Sequence, residues 1–367
     1  MLTSTMLLAA CTGDGTDPRA SGATRTASPT PTSTSTSPSP PAPAPVVRAR
    51  VADIVARGLD APWSLAFLPD GSALVSERDS ARVRLVTPGG AVRAVGRVDG
   101  VDGLGEGGLL GLALSPTYEQ DSTLFAYFTA GSQNVVARMT YDGEALSGQE
   151  TVLDGIPAGP IHNGGRIAFG PDGFLYVGTG ESGQRELGQD RGSLGGKILR
   201  ITADGRPAPG NPFDRSPVYS YGHRNVQGLA WDADGRLWAS EFGQNEWDEL
   251  NRITPGANYG WPEVEGRAGD DRFVDPVRQW RPDVASPSGV AVAGGSVFMA
   301  GLRGERLWQI PLRGDRAGRP RALMRDYGRL RAVAVAPDGS LWVLTNNTDG
   351  RGSPRSGDDK VVRVTLG

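Results

Sequence analysis

Six times along this chain one phrase returns: a short apolar run, a tight turn, then a second apolar run. The clearest copies are Ser64-Leu65-Ala66-Phe67-Leu68-Pro69-Asp70-Gly71, Arg166-Ile167-Ala168-Phe169-Gly170-Pro171-Asp172-Gly173, Gly228-Leu229-Ala230-Trp231-Asp232-Ala233-Asp234-Gly235 and Ala332-Val333-Ala334-Val335-Ala336-Pro337-Asp338-Gly339. Gly111-Leu112-Ala113-Leu114-Ser115-Pro116 has a longer turn, and Gly289-Val290-Ala291-Val292-Ala293-Gly294-Gly295 is degenerate. Asp-Gly between two strand-like runs is a strong hairpin signal, because glycine takes positive φ without steric cost. The copies lie roughly 45 to 60 residues apart, the size of one propeller blade. One blade cannot bury both its faces alone, whereas a closed ring can. The pattern predicts an all-β chain forming a six-bladed β-propeller over residues 46–367, with about 54 residues per blade. A β-sandwich would have no reason to repeat one phrase six times. Closure of the ring requires 46–55 to pair in one sheet with 361–366, since an open seam would leave unpaired edges.

Composition supports this reading and removes others. The 53 glycines and 28 prolines are about a fifth of the chain, too much turn chemistry for a helical bundle. The formal charge of −3 argues against a nucleic-acid partner. No apolar run reaches the roughly 18 residues of a spanning helix. A single cysteine excludes an internal disulfide framework and a thiolate metal cluster.

That cysteine, Cys11, ends the run Leu8-Ala9-Ala10-Cys11. The run resembles a bacterial lipobox, although no basic segment precedes it. Residues 1–11 are therefore expected to be a lipoprotein signal with Cys11 acylated. Residues 12–45 are almost all Thr, Ser, Pro, Ala and Gly, and are expected to be a disordered linker, semi-extended where proline is dense. Together these predict a domain held outside the cytoplasmic membrane, touching it only through the lipid anchor.

The two histidines both stand where a repeat begins. His162 lies in Pro160-Ile161-His162-Asn163-Gly164-Gly165-Arg166, and His223 in Tyr221-Gly222-His223-Arg224-Asn225. If the leading strand is innermost, both face one end of the central channel, where an imidazole is useful as a base. The glycines around His162 favour close approach of a ligand, whereas His223 reads as structural support for Arg224. Arg224, Arg303, Arg329 and Arg331 fall at comparable places, and guanidiniums around a funnel suit a ligand with several carboxylates. Glu246, Asp248 and Glu249, with Asp270 and Asp271 further on, are hard oxygens that suit Ca²⁺ or simply a solvated loop.

Further phrases run in order along the chain: Gly108-Leu109-Leu110-Gly111, Gly195-Gly196-Lys197-Ile198-Leu199-Arg200, Gln227-Gly228-Leu229 after Tyr221–Asn225, and Asn258-Tyr259-Gly260-Trp261-Pro262. With His162 and its flank, these resemble the soluble sugar dehydrogenases that depend on pyrroloquinoline quinone (PQQ), the glucose/sorbosone dehydrogenase family. The resemblance covers about Leu59 to Leu366. It implies a six-bladed propeller with PQQ over the channel, a Ca²⁺ ion against it, and oxidation of an aldose at C1 to the lactone. Electrons would pass on to an unknown acceptor. By the same resemblance His162 is the base, Arg224 polarises the quinone carbonyl, and Asn225, Arg303, Arg329 and Arg331 bind PQQ. Gly243 and Gln244 would offer carbonyls to the PQQ-bound Ca²⁺, and Glu249 and the Tyr259 carbonyl would hold a second Ca²⁺. Glu106 stands where glucose-oxidising members place a glutamine near the sugar. Ile161 replaces an acid beside the histidine, so the base is expected to lack a carboxylate partner from that position. Gln244 replaces a proline and Arg303 a lysine. Two other functions also sit on propellers: a non-catalytic module binding glycans or proteins, and a Ca²⁺-dependent lactonase-type hydrolase.

Overall fold

The computed structural model describes residues 47–367. The proposed signal, Cys11 and the 12–45 linker lie outside the described residues. The described residues form six antiparallel sheets, each four-stranded except one that carries an extra short strand. The innermost strands are Pro62–Phe67, Leu109–Leu114, Ile167–Phe169, Val226–Trp231, Pro287–Ala293 and Leu330–Val335. Each packs beside its equivalent in the next blade, and Leu330–Val335 packs back on Pro62–Phe67. The six repeated phrases are these strands with their turns, so the propeller read from the sequence is the fold observed.

The apolar residues explain the ring. Second strands such as Ala73–Glu77 and Leu341–Thr345 are buried along their whole length. They read as continuous apolar runs because both faces of an inner blade strand meet a neighbouring blade. There are six apolar clusters, one at each blade interface. One, for example, joins Leu110 and Phe125 of blade 2 to Ile167 and Leu199 of blade 3. The turns behave as their sequence dictates. Asp70 accepts the Ser72 N–H at 2.8 Å, and Gly71 takes φ 84°. Asp338 repeats the contact with Ser340 at 2.9 Å.

The ring closes as expected. Ala49–Arg57 pairs antiparallel with Lys360–Leu366, so both ends of the domain build blade 6. Each hairpin turn lies at the far end of its inner strand. The strand starts, where the candidate residues sit, therefore gather at one mouth of the channel.

Candidate active site

A cavity of about 450 Å³ opens at this mouth, and every blade contributes to its wall. Ten of the residues singled out from the sequence line it: Glu106, His162, Arg224, Asn225, Gly243, Gln244, Asp248, Arg303, Arg329 and Arg331. Glu249 and Tyr259 line a small buried neighbouring cavity instead, with Glu241 and Glu265. His223 does not reach the funnel. It is wholly buried, bonded to Ser220 Oγ at 2.8 Å and Glu241 at 2.7 Å, and stacked on Tyr259. Glu241 also accepts the Arg224 N–H. His223 thus holds the residue that holds Arg224, the supporting role expected for it.

His162 sits just before the inner strand of blade 3 with φ 56°, a left-handed backbone that a β-carbon makes costly. Its N–H donates to Glu106 Oε2 at 3.0 Å, and its carbonyl accepts from Ser182 at 3.0 Å. Gly180 is required here, because a side chain at that position would overlap the His162 carbonyl. Nδ1 of the imidazole meets Glu181 Oε1 in a short bond, and Nε2 lies 2.8 Å from Arg224 Nη2. The carboxylate can only accept, so Nδ1 carries the hydrogen, and Nε2, whose lone pair accepts from Arg224, is the basic nitrogen at the cavity wall.

Glu181 corrects one expectation. Ile161, 40 % exposed, offers no carboxylate, yet the base has one from just past the second strand of its own blade. A signal for it was present. Two second strands end in Ser76-Glu77 and Ser240-Glu241, and Gly180-Glu181 follows directly on the blade 3 second strand, Leu175–Gly178. The pairs His162–Glu181 and His223–Glu241 are the same construction in adjacent blades.

The opposite wall is cationic. Arg329 Nη2 lies 2.8 Å from Asp349 Oδ2, and Arg331 Nη2 lies 3.6 Å from the same oxygen. Burial works to raise the Asp349 carboxyl, but Arg331 and Arg329 outweigh it and hold it below the ordinary range. Two guanidiniums against one carboxylate leave a surplus charge. Burial pulls Arg331 down to about 9, and Asp349 offsets part of that. Arg303 is exposed on the rim. Arg224 Nε and Asn225 Nδ2 are buried donors with no partner, and both residues line the cavity. Such orphans are expensive unless a ligand's acceptors meet them. These donors fit a flat, polycarboxylate, carbonyl-bearing cofactor, and the cavity is of the size that small cofactors fill.

The mouth is crossed by one ion pair not foreseen from the sequence. Arg351 Nη1 lies 2.7 Å from Glu106 Oε1. Burial works to raise the Glu106 carboxyl, but the His162 N–H and Arg351 prevail and hold it lower than usual. Glu106 is therefore an ionised acceptor at the wall nearest the base.

Among the described residues, no three side chains of His, Cys, Asp or Glu are placed to hold a metal by themselves. A cation here would lean on carbonyl oxygens and on its ligand. Gly243 and Gln244 line the wall beside Asp248, whose carboxyl burial pushes up to about 7. That hard-oxygen set fits Ca²⁺. Next door, burial raises the Glu249 carboxyl and the Glu241 charge raises it further. Of the acidic stretch, Glu246 is exposed and Asp270 bonds Arg272 instead.

The propeller and this funnel define a protein with one arginine-rich cavity at the channel mouth and an imidazole in its wall. Residues 59–353 match the model of the glucose/sorbosone dehydrogenase family, and the chain belongs to that family of oxidoreductases. It is 58% identical to a solved Streptomyces coelicolor structure, the PQQ-bound form of an aldose sugar dehydrogenase, with a TM-score of 0.86 over 88% of this chain and 100% of that one. It is 30% identical to the Escherichia coli aldose sugar dehydrogenase YliI over 83% of this chain and 93% of the other. It is 31% identical to the Acinetobacter calcoaceticus quinoprotein glucose dehydrogenase B over 60% of this chain and 54% of that one.

Proposed function

We propose that the chain is a PQQ- and Ca²⁺-dependent aldose dehydrogenase that oxidises the sugar at C1 to the lactone. The observation that carries this reading is the His162 Nε2 lone pair, fixed by Glu181 at the wall of a cavity with surplus arginine. PQQ, when bound, supplies the hydride acceptor. The chain's own residues do the rest. Arg303, Arg329 and Arg331 would hold the cofactor's carboxylates, and the orphan Asn225 Nδ2 would find an acceptor there. Arg224, now 2.8 Å from His162 Nε2, would be the donor to a carbonyl of the bound cofactor, and that contact would leave Nε2 free to act as base. Glu106 accepts sugar hydroxyls. With the hydride acceptor in place, His162 Nε2 would take the anomeric O–H proton as the C1 hydrogen left with its electron pair, and the C1–O bond would become the lactone carbonyl. Glu181 then faces the imidazolium it has oriented. Gly243 and Gln244 would offer carbonyls to a Ca²⁺ ion held with the cofactor, and Glu249 with the Tyr259 carbonyl would hold a second ion.

The test is dye reduction by purified protein given PQQ, Ca²⁺ and a panel of aldoses. Wild type should reduce dye with at least one sugar. His162→Ala should lower kcat by roughly two to four powers of ten with PQQ affinity little changed. Full turnover in that variant, or loss only through lost PQQ, sinks the assignment. The physiological electron acceptor is a separate partner. We also propose an extracytoplasmic, lipid-anchored location from the lipobox. Cys11→Ser should move the protein from the membrane to the soluble fraction, and a variant that stays on the membrane refutes the anchor.

A further inference from the structure

Beneath the cavity floor lies a charge that none of the roles above uses. Arg166 immediately precedes the inner strand of blade 3 and is 8% exposed. Its Nε donates to the Gln227 carbonyl at 2.8 Å and its Nη1 to Ser64 Oγ at 2.9 Å. These partners belong to blades 4 and 1, so the guanidinium sits at the propeller axis. Gly289 of blade 5 passes close by, and a β-carbon there would lie 3.2 Å from Nη2. Nη2 itself is buried and has no partner. Burial alone draws the group down to about 9, with no neighbouring carboxylate to raise it again.

The contrast with Arg331 is informative. Arg331 shares Gln227 with Arg166, through Gln227 Oε1 at 2.9 Å, but it also has Asp349. Arg166 has neutral acceptors only. A neutral donor could serve Ser64 and Gln227 equally well. A buried cation without a counter-ion costs several kcal/mol, so bonding between blades does not account for an arginine here. What lies above it does. The guanidinium carbon is 4.3 Å from the centre of the Trp63 ring, and Trp63 is part of the cavity wall. The charge thus lies against a residue that lines the cavity, as Arg331 does at 5.8 Å from the same ring, in a medium that screens poorly.

We infer that Arg166 is an electrostatic positioning residue: a fixed cation under the Trp63 floor whose counter-charge is the anionic cofactor, and which favours that cofactor more once it has accepted a hydride. This rests on the PQQ reading above. The charge balance is simple. A hydride brings two electrons and one proton, so its acceptor gains one negative charge, while the substrate's O–H proton stays on His162. A cation that touches neither partner still favours the side of the reaction where negative charge has accumulated.

The test is a potentiometric titration of protein loaded with PQQ and Ca²⁺. Arg166→Gln keeps one donor nitrogen and removes the charge. It should lower the bound cofactor's preference for the reduced form about ten-fold, a fall of about 30 mV for a two-electron couple. It should also weaken binding of PQQ. Arg166→Lys keeps the charge and should stay near wild type in potential. Ser64→Asp leaves Arg166 in place and gives it a counter-ion, so it should lower the potential in the same direction. This variant decides the matter if Arg166→Gln does not fold. An unchanged potential in the variants that load, or equal shifts in Arg166→Gln and Arg166→Lys, overturns the inference and leaves a structural tie between blades. Wild type that takes up no PQQ sinks the functional reading and this inference together.

Discussion

The residues visible from sequence were those whose type and position coincide. His162, Arg224, Asn225, Arg329 and Arg331 begin inner strands, and inner strands begin at the mouth. Glu181, Asp349 and Arg351 sit at the far ends of second strands or in the loops beyond, where sequence order says little about which wall a side chain reaches. Glu181 should be tested first. Glu181→Gln can turn an amide N–H toward Nδ1, which moves the imidazole hydrogen to Nε2 and removes the lone pair from the cavity wall. Turnover should fall by roughly two to four powers of ten, as when a histidine's carboxylate partner becomes an amide elsewhere, while PQQ binding holds. Turnover within a few-fold of wild type would show that the tautomer is set by something other than Glu181. Arg351 makes a second test. The Glu106 carboxyl is held below the ordinary carboxylate value, so its ionised form persists as pH falls through about 4.3. Its contribution to stability, and to the sugar contact proposed for it, is therefore present above that pH and lost only below it. In Arg351→Gln the rise in KM on acidification should begin at a higher pH than in wild type. Superimposed KM profiles would remove Arg351 from the account of Glu106.

At the scale of elements, the inner strands and their Asp-Gly turns are visible because they are local. Less visible are elements specified by distant partners. Leu146–Pro157 runs twelve residues with bulges against its neighbour, and its side chains are mostly exposed. The loop after Ala239-Ser240-Glu241 is a stronger case. Gln244, Asn245, Glu246 and Trp247 all donate backbone N–H groups to one oxygen, Glu265 Oε1, at 2.6 to 3.0 Å. No periodicity predicts that a carboxylate nineteen residues further on will shape this loop. The loop carries the Gly243 and Gln244 carbonyls assigned to Ca²⁺. Glu265→Ala leaves four donors without their acceptor, but Gln244, Asn245 and Glu246 are exposed, so water can replace it at little cost in stability. The expected result is a Tm close to wild type with Ca²⁺ affinity, measured calorimetrically on PQQ-loaded protein, weakened at least ten-fold. Unchanged affinity would mean that the carbonyl pair needs no clamp or is not the Ca²⁺ site.

The propeller holds together because its first and last strands share one blade. Ala49–Arg57 covers the edge of Lys360–Leu366, and Val55 and Ala56 enter the cluster between blades 6 and 1 with Leu59, Trp342 and Val361. Ile54 packs into the cluster on the other side of the same blade. Two truncations separate what this strand contributes from what precedes it. Removal of residues 1–45 takes away no strand of the propeller, so the Tm should shift by no more than about 2 °C. Removal of residues 1–57 takes away the closing strand. Burial of Ile54 and Val55 is worth on the order of 2 kcal/mol each, and the ladder adds to it. At roughly 2 °C per kcal/mol for a domain of this size, the Tm should fall by about 8 °C or more. The strand Lys360–Leu366 then becomes an open edge whose buried apolar residues face solvent, so the shorter protein should also self-associate on a sizing column. The sixth blade lies beside the arginine wall: Arg329, Arg331 and Asp349 all belong to it. PQQ affinity should therefore fall along with stability in the 58–367 protein and stay at the wild-type value in 46–367. A 58–367 protein that melts at the wild-type temperature would show that the ring is closed by its inner strands alone, and that the pairing of the termini is not what seals it.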